Sequence, residues 1–347
     1  MSTNKQIYIS DYCLTQIVRL TNQRATTIKL LTHTPMQGAN CSFVVDDDGF
    51  SADSRSDVNR ETSRDISRDF ARDGSGVSES VSIARLLTHK WAVYTRSVFV
   101  DSAVAQAISA SLSYGRNNTV LQRKLVNASI QLAASINRDV LAGPGVGRRV
   151  FGLANAIGCA NNTCYGIDRT DPSNAFFRPF VSNPGTLSPL TKYQIRNDLR
   201  QIYDVSNQIP DIAICSPAVF DNAVSLYDRS IRWVSEMRLR RGIVKLPSGG
   251  EGANIEGCTF FRDWDAAPHS IAYVNTNYVE LAYLLTRPSI PPVDTCDQPA
   301  GEELGIFPFG ASFAGPADDQ SRASVRVVCQ LAVSKPNTCG MRWSIAT

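Results

Sequence analysis

Residues able to act as nucleophile, base or metal ligand are present in this chain, but they do not gather. There are three histidines, His33, His89 and His269, and none stands near a cysteine. The nine cysteines (Cys13, Cys41, Cys159, Cys164, Cys215, Cys258, Cys296, Cys329 and Cys339) are scattered and form no Cys-x-x-Cys. That pattern argues against a zinc site, which needs clustered thiolates or imidazoles. Cys159 and Cys164 are close enough for a local disulfide or half of a metal site. The plainer reading is reduced thiols, with Cys215 in IAIC and Cys329 in VRVVC packed as small hydrophobes.

Gly143-Pro144-Gly145-Val146-Gly147-Arg148 is glycine-rich. It lacks the Gly-Lys-Ser/Thr ending of a phosphate loop, and it follows a helix where a dinucleotide fingerprint follows a strand. Asp46-Asp47-Asp48-Gly49 lacks the spaced ligands and closing glutamate of a calcium loop. Asp263 and Asp265 flank Trp264 and could imitate an acid/base pair, but no third group stands beside them, so they read as a surface turn. No Gly-x-Ser-x-Gly elbow exists. Arg238-Leu239-Arg240-Arg241 could touch phosphate, but only weakly and with strong salt dependence; it reads as a solvated loop. No catalytic, cofactor-binding or metal-binding residue is assigned, and no enzyme is expected.

The bulk properties bound the class of protein. The chain has 347 residues, 43% of them hydrophobic, and a formal net charge of +3. That length calls for more than one lobe. The charge demands neither nucleic acid nor a membrane surface. The N-terminus lacks the apolar core of a signal peptide, and no run is long enough to span a membrane. A soluble protein made in a cytoplasm is expected, so the Asn-x-Ser/Thr triplets at Asn117, Asn127 and Asn161 mean little.

Two elements dominate the layout. Thr119 to Ala142 is the longest credible helix. Leu121, Leu125, Ala128, Leu132 and Ile136 form one apolar stripe, widened by Val126, Ile130 and Ala133. Thr119 and Gln122 have capping-box spacing, and Gly143-Pro144-Gly145 ends the helix. Residues 45–80 are the other. Arg60, Arg64, Arg68 and Arg72 recur every fourth residue, with Asp57, Glu61, Asp65, Asp69 and Asp73 likewise. As a strand, the segment has an acidic face and a basic face carrying Val58, Ile66 and Phe70. As a helix, it carries opposite-charge ladders. It has too few apolar residues to bury itself. It reads either as a solvated loop or as a two-faced ribbon whose charges meet a neighbouring subunit.

Residues 1–44 lack a strong core pattern and read as an arm. Residues 82–99 are apolar enough to return to the core, and residues 101–114 read as a short Ala/Ser-rich helix. Residues 190–207 are an amphipathic helix, 211–215 a buried strand, and Ser216-Pro217 opens another helix. Residues 255–262 and 271–285 are strand-like. Residues 287–322 are rich in Pro and Gly and read as irregular. Residues 323–333 form a closing strand.

This order resembles the major capsid proteins of tailed bacteriophages, the HK97-like fold. The resemblance rests on residues 101–142 as the approach to and passage through a spine helix, and on GRRVFGLANAIG (147–158). It rests also on IPDIAICSPAVFDNAVSLYD (209–228), NIEGCTFFRDWDAAPHSIAYVNTNYVELAYL (254–284) and SRASVRVVCQLAVSKPNTCGMRW (321–343). It implies an α+β subunit with an N-terminal arm (1–44), an extended loop (45–95), a peripheral domain with the spine helix (96–145), an axial α/β domain (146–285) and a return to the peripheral domain (286–347).

By the same resemblance, the chain is a virion protein assembled in the host cytoplasm. It would form hexamers and pentamers of itself, enclosing double-stranded DNA without sequence preference. Portal, scaffolding and cement proteins are partners that the resemblance allows; a membrane is not among them. Some members cross-link through a lysine of the extended loop. Residues 30–89 here contain no lysine, so non-covalent stapling by Arg60, Arg64, Arg68 and Arg72 is expected instead. The first 44 residues do not look like a cleaved scaffolding segment, so no maturation cleavage is expected. An encapsulin-like compartment shell and a hydrolase built on the central α/β lobe are the alternatives.

Overall fold

The computed structural model describes residues 25–36, 38, 40–45, 85–101, 120–159, 162–227, 231–234, 236–239, 242–245, 252–284, 310–317 and 320–346. In chain order the principal elements are α1 (Thr26–Leu30), β1 (Thr32–Met36), β2 (Cys41–Val45), β3 (Arg85–His89), β4 (Ala92–Asp101) and α2 (Val120–Ala142). Then come β5 (Phe180–Ser182), α3 (Lys192–Ser206), β6 (Ile212–Cys215), α4 (Pro217–Tyr227), β7 (Arg232–Val234), β8 (Glu236–Leu239) and β9 (Gly242–Lys245). The chain ends through β10 (Gly252–Ile255), β11 (Cys258–Arg262), β12 (Ile271–Val274), β13 (Val279–Leu284), β14 (Gly310–Ala317), β15 (Gln320–Val333) and β16 (Gly340–Arg342).

Two mixed sheets carry the fold. The first is built on β15. Residues 320–326 of β15 pair on one side with β14 and on the other with β4, and residues 329–333 pair with β13. β1 adds to β13 in parallel. From Val327 to Val333 every residue of β15 is buried. Such an unbroken apolar run is what a strand covered on both faces requires.

The second sheet has the order β7-β10-β11-β6-β12-β16-β5. In its centre, the alternation of side chains assigns one strand to two cores. Ala213 and Cys215 of β6 face the core under α3 and α4, with Ile195, Leu199, Ile202, Val219 and Phe220. Their neighbours Ile212 and Ile214 face the core that holds α2, with Leu132, Ile136 and Val140. Phe260 and Phe261 of β11 divide in the same way, as do Tyr273 and Ala272 of β12. A period of two on a strand buried on both faces produces this sharing.

α2 is 23 residues long, roughly 35 Å at the α-helical rise. It stops at Gly143, where a Cβ would lie 2.3 Å from the Val150 carbonyl oxygen and 2.4 Å from that of Asp139. Only glycine allows so close a return of the chain. Arg149 and Tyr94 then clamp the helix end. The Tyr94 hydroxyl donates to Asp139 Oδ2 at 2.7 Å, and Arg149 Nε donates to the same oxygen at 2.9 Å. Burial, and then the bond to Asp139, push the Tyr94 hydroxyl's pKa well up.

Several sequence expectations change. The capping-box pair at 119 and 122 begins outside the described residues; a complete capping box instead opens α3, between Thr191 and Gln194. Residues 255–262 are not one strand. Glu256 and Gly257, both with positive φ, make a two-residue hairpin turn between β10 and β11, which the Glu-Gly dipeptide permits. Residues 271–285 are also two strands, β12 and β13, and they join different sheets. The break is held by Asp211, which accepts from the Thr276 backbone N–H at 2.8 Å and from the Thr276 hydroxyl.

β8 and β9 pair antiparallel, so Arg238 and Leu239 lie in a strand where a loop was expected, while residues 240 and 241 lie outside the described residues. The end of the Pro/Gly-rich segment 287–322 is strand as well. Pro316 falls where the register of β14 shifts against β15, so its missing N–H leaves no ladder bond unmade. The arm is more integrated than expected, since Ile28, Leu30 and Leu31 are buried in the α2 core. The expected helix at 101–114 lies outside the described residues, apart from Asp101, which ends β4. Pairing of β13 with β15 crosses the expected domain boundary at 285.

Candidate subunit-contact surface

The expected inter-subunit residues Asp57, Arg60, Glu61, Arg64, Asp65, Arg68, Asp69 and Arg72 lie outside the described residues. The two strands that lead into and out of their segment do not. β2 and β3 pair antiparallel, Cys41 with His89 through Val45 with Arg85. Cys41, Phe43, Val45 and Leu87 point inward and are buried. Val44 and Leu86, a directly opposed pair on the other face, are 52% and 66% exposed. An isolated two-stranded hairpin is marginal in water, so this stem depends on what its inner face packs against. Phe43 meets Tyr165 edge-on, with ring centroids 5.1 Å apart. Trp91 Nε1 donates to the Gly38 carbonyl at 3.1 Å. Arg85 Nη1 donates to Asn174 Oδ1 at 2.9 Å.

Of the expected spine core, Leu132 and Ile136 are buried. Leu121 and Leu125 lie in α2, but their side chains are outside the described set. The Asp263-Trp264-Asp265 turn departs from its expected role as a plain surface feature. Asp263 is 1% exposed and Trp264 83%. Asp263 Oδ2 accepts from the Thr27 backbone N–H at 3.1 Å and from the Thr27 hydroxyl at 2.7 Å. Asn137 Nδ2 donates to both Asp263 oxygens at 3.1 Å and to Asp265 Oδ2 at 3.0 Å. Asn137 Oδ1 in turn accepts from the Ile28 N–H at 3.3 Å. One buried carboxylate thus ties the arm, the spine helix and the second sheet together. Trp264 stands exposed between these two tied residues. No local sequence signal could have revealed this, since Thr27 and Asp263 are 236 positions apart.

α3 turns Tyr193 and Arg196 outward, and Arg196 Nε donates to Glu256 Oε1 at 2.8 Å across to the β10–β11 turn. Its inner face holds Asp198, which takes two hydrogen bonds of 2.5 Å from the Arg342 guanidinium and one of 3.2 Å from the Tyr273 hydroxyl. Burial pushes the Asp198 carboxyl's pKa up, and Arg342 and Tyr273 pull it back.

Among the described residues, no three His, Cys, Asp or Glu side chains gather as a metal site would need. The described cysteines are all free, and Cys159 alone among them is exposed. A cleft at the foot of the β2–β3 stem is lined by Phe43, Val44, Tyr278, Glu280, Ser334 and Lys335 among others, and the Ser334 hydroxyl donates to the Tyr278 carbonyl at 3.2 Å. No helix among the described residues is long and apolar enough to cross a membrane.

A hairpin stem packed on the core, a long helix and a helix-covered mixed sheet sharing that core define the class: the chain has the HK97-like fold of capsid and encapsulin shell proteins. Two solved structures illustrate it. The cyanophage A-1(L) capsid asymmetric unit is 14% identical, with a TM-score of 0.59 over 100% of this chain and 96% of that one. The holo-SrpI encapsulin complex from Synechococcus elongatus PCC 7942 is 11% identical, with a TM-score of 0.56 over 99% of this chain and 91% of that one. No family model matches the sequence, and no curated protein matches it.

Proposed function

We propose that this chain is the structural subunit of a closed icosahedral shell of the phage-capsid type, assembling as hexamers and pentamers around double-stranded DNA. The observation that carries the reading is the fold likeness to a phage capsid subunit along the whole chain. The apolar pair Val44 and Leu86, opposed and exposed on a hairpin stem, supports it. So does Trp264, held outward by a buried carboxylate; exposed aromatics on rigid backbone are the usual anchors of protein interfaces. The role is structural, without catalysis.

In this reading the arginines at 60, 64, 68 and 72 staple neighbouring subunits without a covalent bond. Single exposed ion pairs contribute little, so the array acts as a whole. With β13 in the first sheet and β16 in the second, the expected peripheral domain (96–145 with 286–347) also takes in 279–284, and the expected axial domain (146–285) takes in 340–342.

Electron microscopy of the expressed protein tests the central claim: closed shells or capsomers support it, and a compact monomer refutes it. Arg64→Ala with Arg68→Ala tests the stapling, by leaving a folded subunit that assembles poorly; normal assembly, or cross-linked ladders on denaturing gels, would remove it. An encapsulin-like shell is the second reading, favoured by the comparable likeness to the encapsulin subunit. Mass spectrometry and nucleic-acid assay of purified particles separate the two by cargo.

A further inference from the structure

One exposed ring and one open cleft lie on different elements of this chain, and their chemistry matches. Trp264, at 83% exposure, is the most solvent-facing large apolar side chain among the described residues. Its neighbours Asp263 and Asp265 both accept from Asn137 Nδ2. Arg138 stands by the same turn, its Nε 3.7 Å from Asp265 Oδ1 and its side chain 70% exposed. An indole left in water forgoes the burial of roughly 150–250 Å² that makes tryptophan a frequent anchor of interfaces.

The cleft at the foot of the β2–β3 stem measures about 320 Å³ and is lined by Phe43, Val44, Tyr278, Glu280, Ser334 and Lys335 among others. Its walls suit an indole in three ways. Phe43 and Val44 supply apolar surface. Lys335 Nζ lies over the Tyr278 ring, 5.0 Å from its centroid, and an ammonium so placed attracts the face of a second ring. An indole N–H taken out of water needs an acceptor. Oxygen acceptors line the cleft at Glu280 and at Ser334, whose hydroxyl donates its own proton to the Tyr278 carbonyl and keeps its lone pairs.

We infer that Trp264 of one copy seats in this cleft of a second copy. The seat presupposes the self-assembling subunit proposed above and supplies one of its contacts. Ring and cleft lie on different elements, the turn after β11 and the foot of the stem, so the contact is heterologous. It runs head to tail and closes a ring where the rotation allows. Charge sorts the orientation. Arg138 and Asp265 accompany the ring, and Glu280 and Lys335 line the cleft. One way of seating sets Arg138 against Glu280 and Asp265 against Lys335, and the reverse sets like charges together. The seat also covers Val44, one of the opposed apolar pair left exposed on the stem.

Benzoylphenylalanine in place of Trp264, in particles assembled from mixed heavy-isotope-labelled and unlabelled protein, tests the seat. Irradiation is expected to join position 264 to 43–44, 277–280 or 332–335, with mixed labels across the link marking it as one between copies. Trp264→Ala and Val44→Asp should each raise the protein concentration needed for assembly roughly 30-fold, the loss of a central anchor. Both side chains are exposed, so each variant should keep native circular dichroism. Combined, they should lose little more than either alone, because both remove the same contact. Closed shells whose links fall elsewhere, normal assembly of Trp264→Ala, or additive losses would overturn the seat and leave the shell reading standing. A chain that stays monomeric overturns both. Should Val44→Asp not fold, the cross-link and Trp264→Ala decide.

Discussion

Replacing Thr27 with valine should release the arm while leaving the rest of the subunit intact. Valine matches threonine in shape and keeps the backbone N–H, so the change deletes one hydroxyl. That hydroxyl donates to Asp263 at 2.7 Å in a site shielded from water. A hydrogen bond to a charged partner contributes about 1.5–3 kcal/mol net. The Thr27 N–H, Asn137 and the Asp265 N–H still hold the carboxylate. The expected cost is therefore near the middle of that range, about 2 kcal/mol, or roughly a 30-fold rise in the opening equilibrium of the arm helix. Hydrogen exchange over residues 25–31 reads that equilibrium directly. Asp263→Ala should cost more, about 3–5 kcal/mol, because it strands buried donors on two elements. It should also raise exchange near Asn137. If Thr27→Val left exchange at 25–31 within threefold of the wild type, the carboxylate would not be what holds the arm.

Three further outcomes are expected. Leu132→Asp should give insoluble protein, because it puts an unpaired charge in the core that joins α2 to the second sheet; soluble protein with native circular dichroism would contradict this. Arg342→Met alone should lose about 3–5 kcal/mol by stranding Asp198, whereas Arg342→Met with Asp198→Leu should recover most of it in thermal melts. Burial raises the thiols of Cys41 and Cys164 to about 12 and that of Cys339 to about 11, from 9.0. Each proton is then held more tightly in the folded state than in the unfolded one. The contribution is complete below pH 9.0 and is lost as the pH rises toward 12. Melting temperature should fall above pH 9.0, and native alkylation should mark Cys159 while sparing these three.

The parts of the fold that local chemistry writes were legible. The stripe through Leu132 and Ile136, the glycine stop at 143 and the strand IAIC before Ser-Pro could each be read from neighbouring residues. Turns were read less well: Glu256-Gly257 sits inside a run that looks continuous because both flanking strands are apolar. Which core each strand residue serves could not be read at all, since Ile212, Ala213, Ile214 and Cys215 are all apolar and the division appears only when helices cover both faces. The candidate contact surface was the hardest part. Trp264 looks like one aromatic in a polar turn, and the hydrogen bonds that hold its neighbours Asp263 and Asp265 come from Thr27 and Asn137, which lie far from it in sequence.

The separation between Thr27 and its dock also sets an order of events during synthesis. The arm leaves the ribosome first, but Asp263 follows 236 residues later. At about 5–20 residues per second the arm waits on the order of 10–50 s for its partner. β4 waits nearly as long for residues 320–329. The first-made segments are therefore the last to find their places, and the first sheet is complete only once residues 320–333 have been translated.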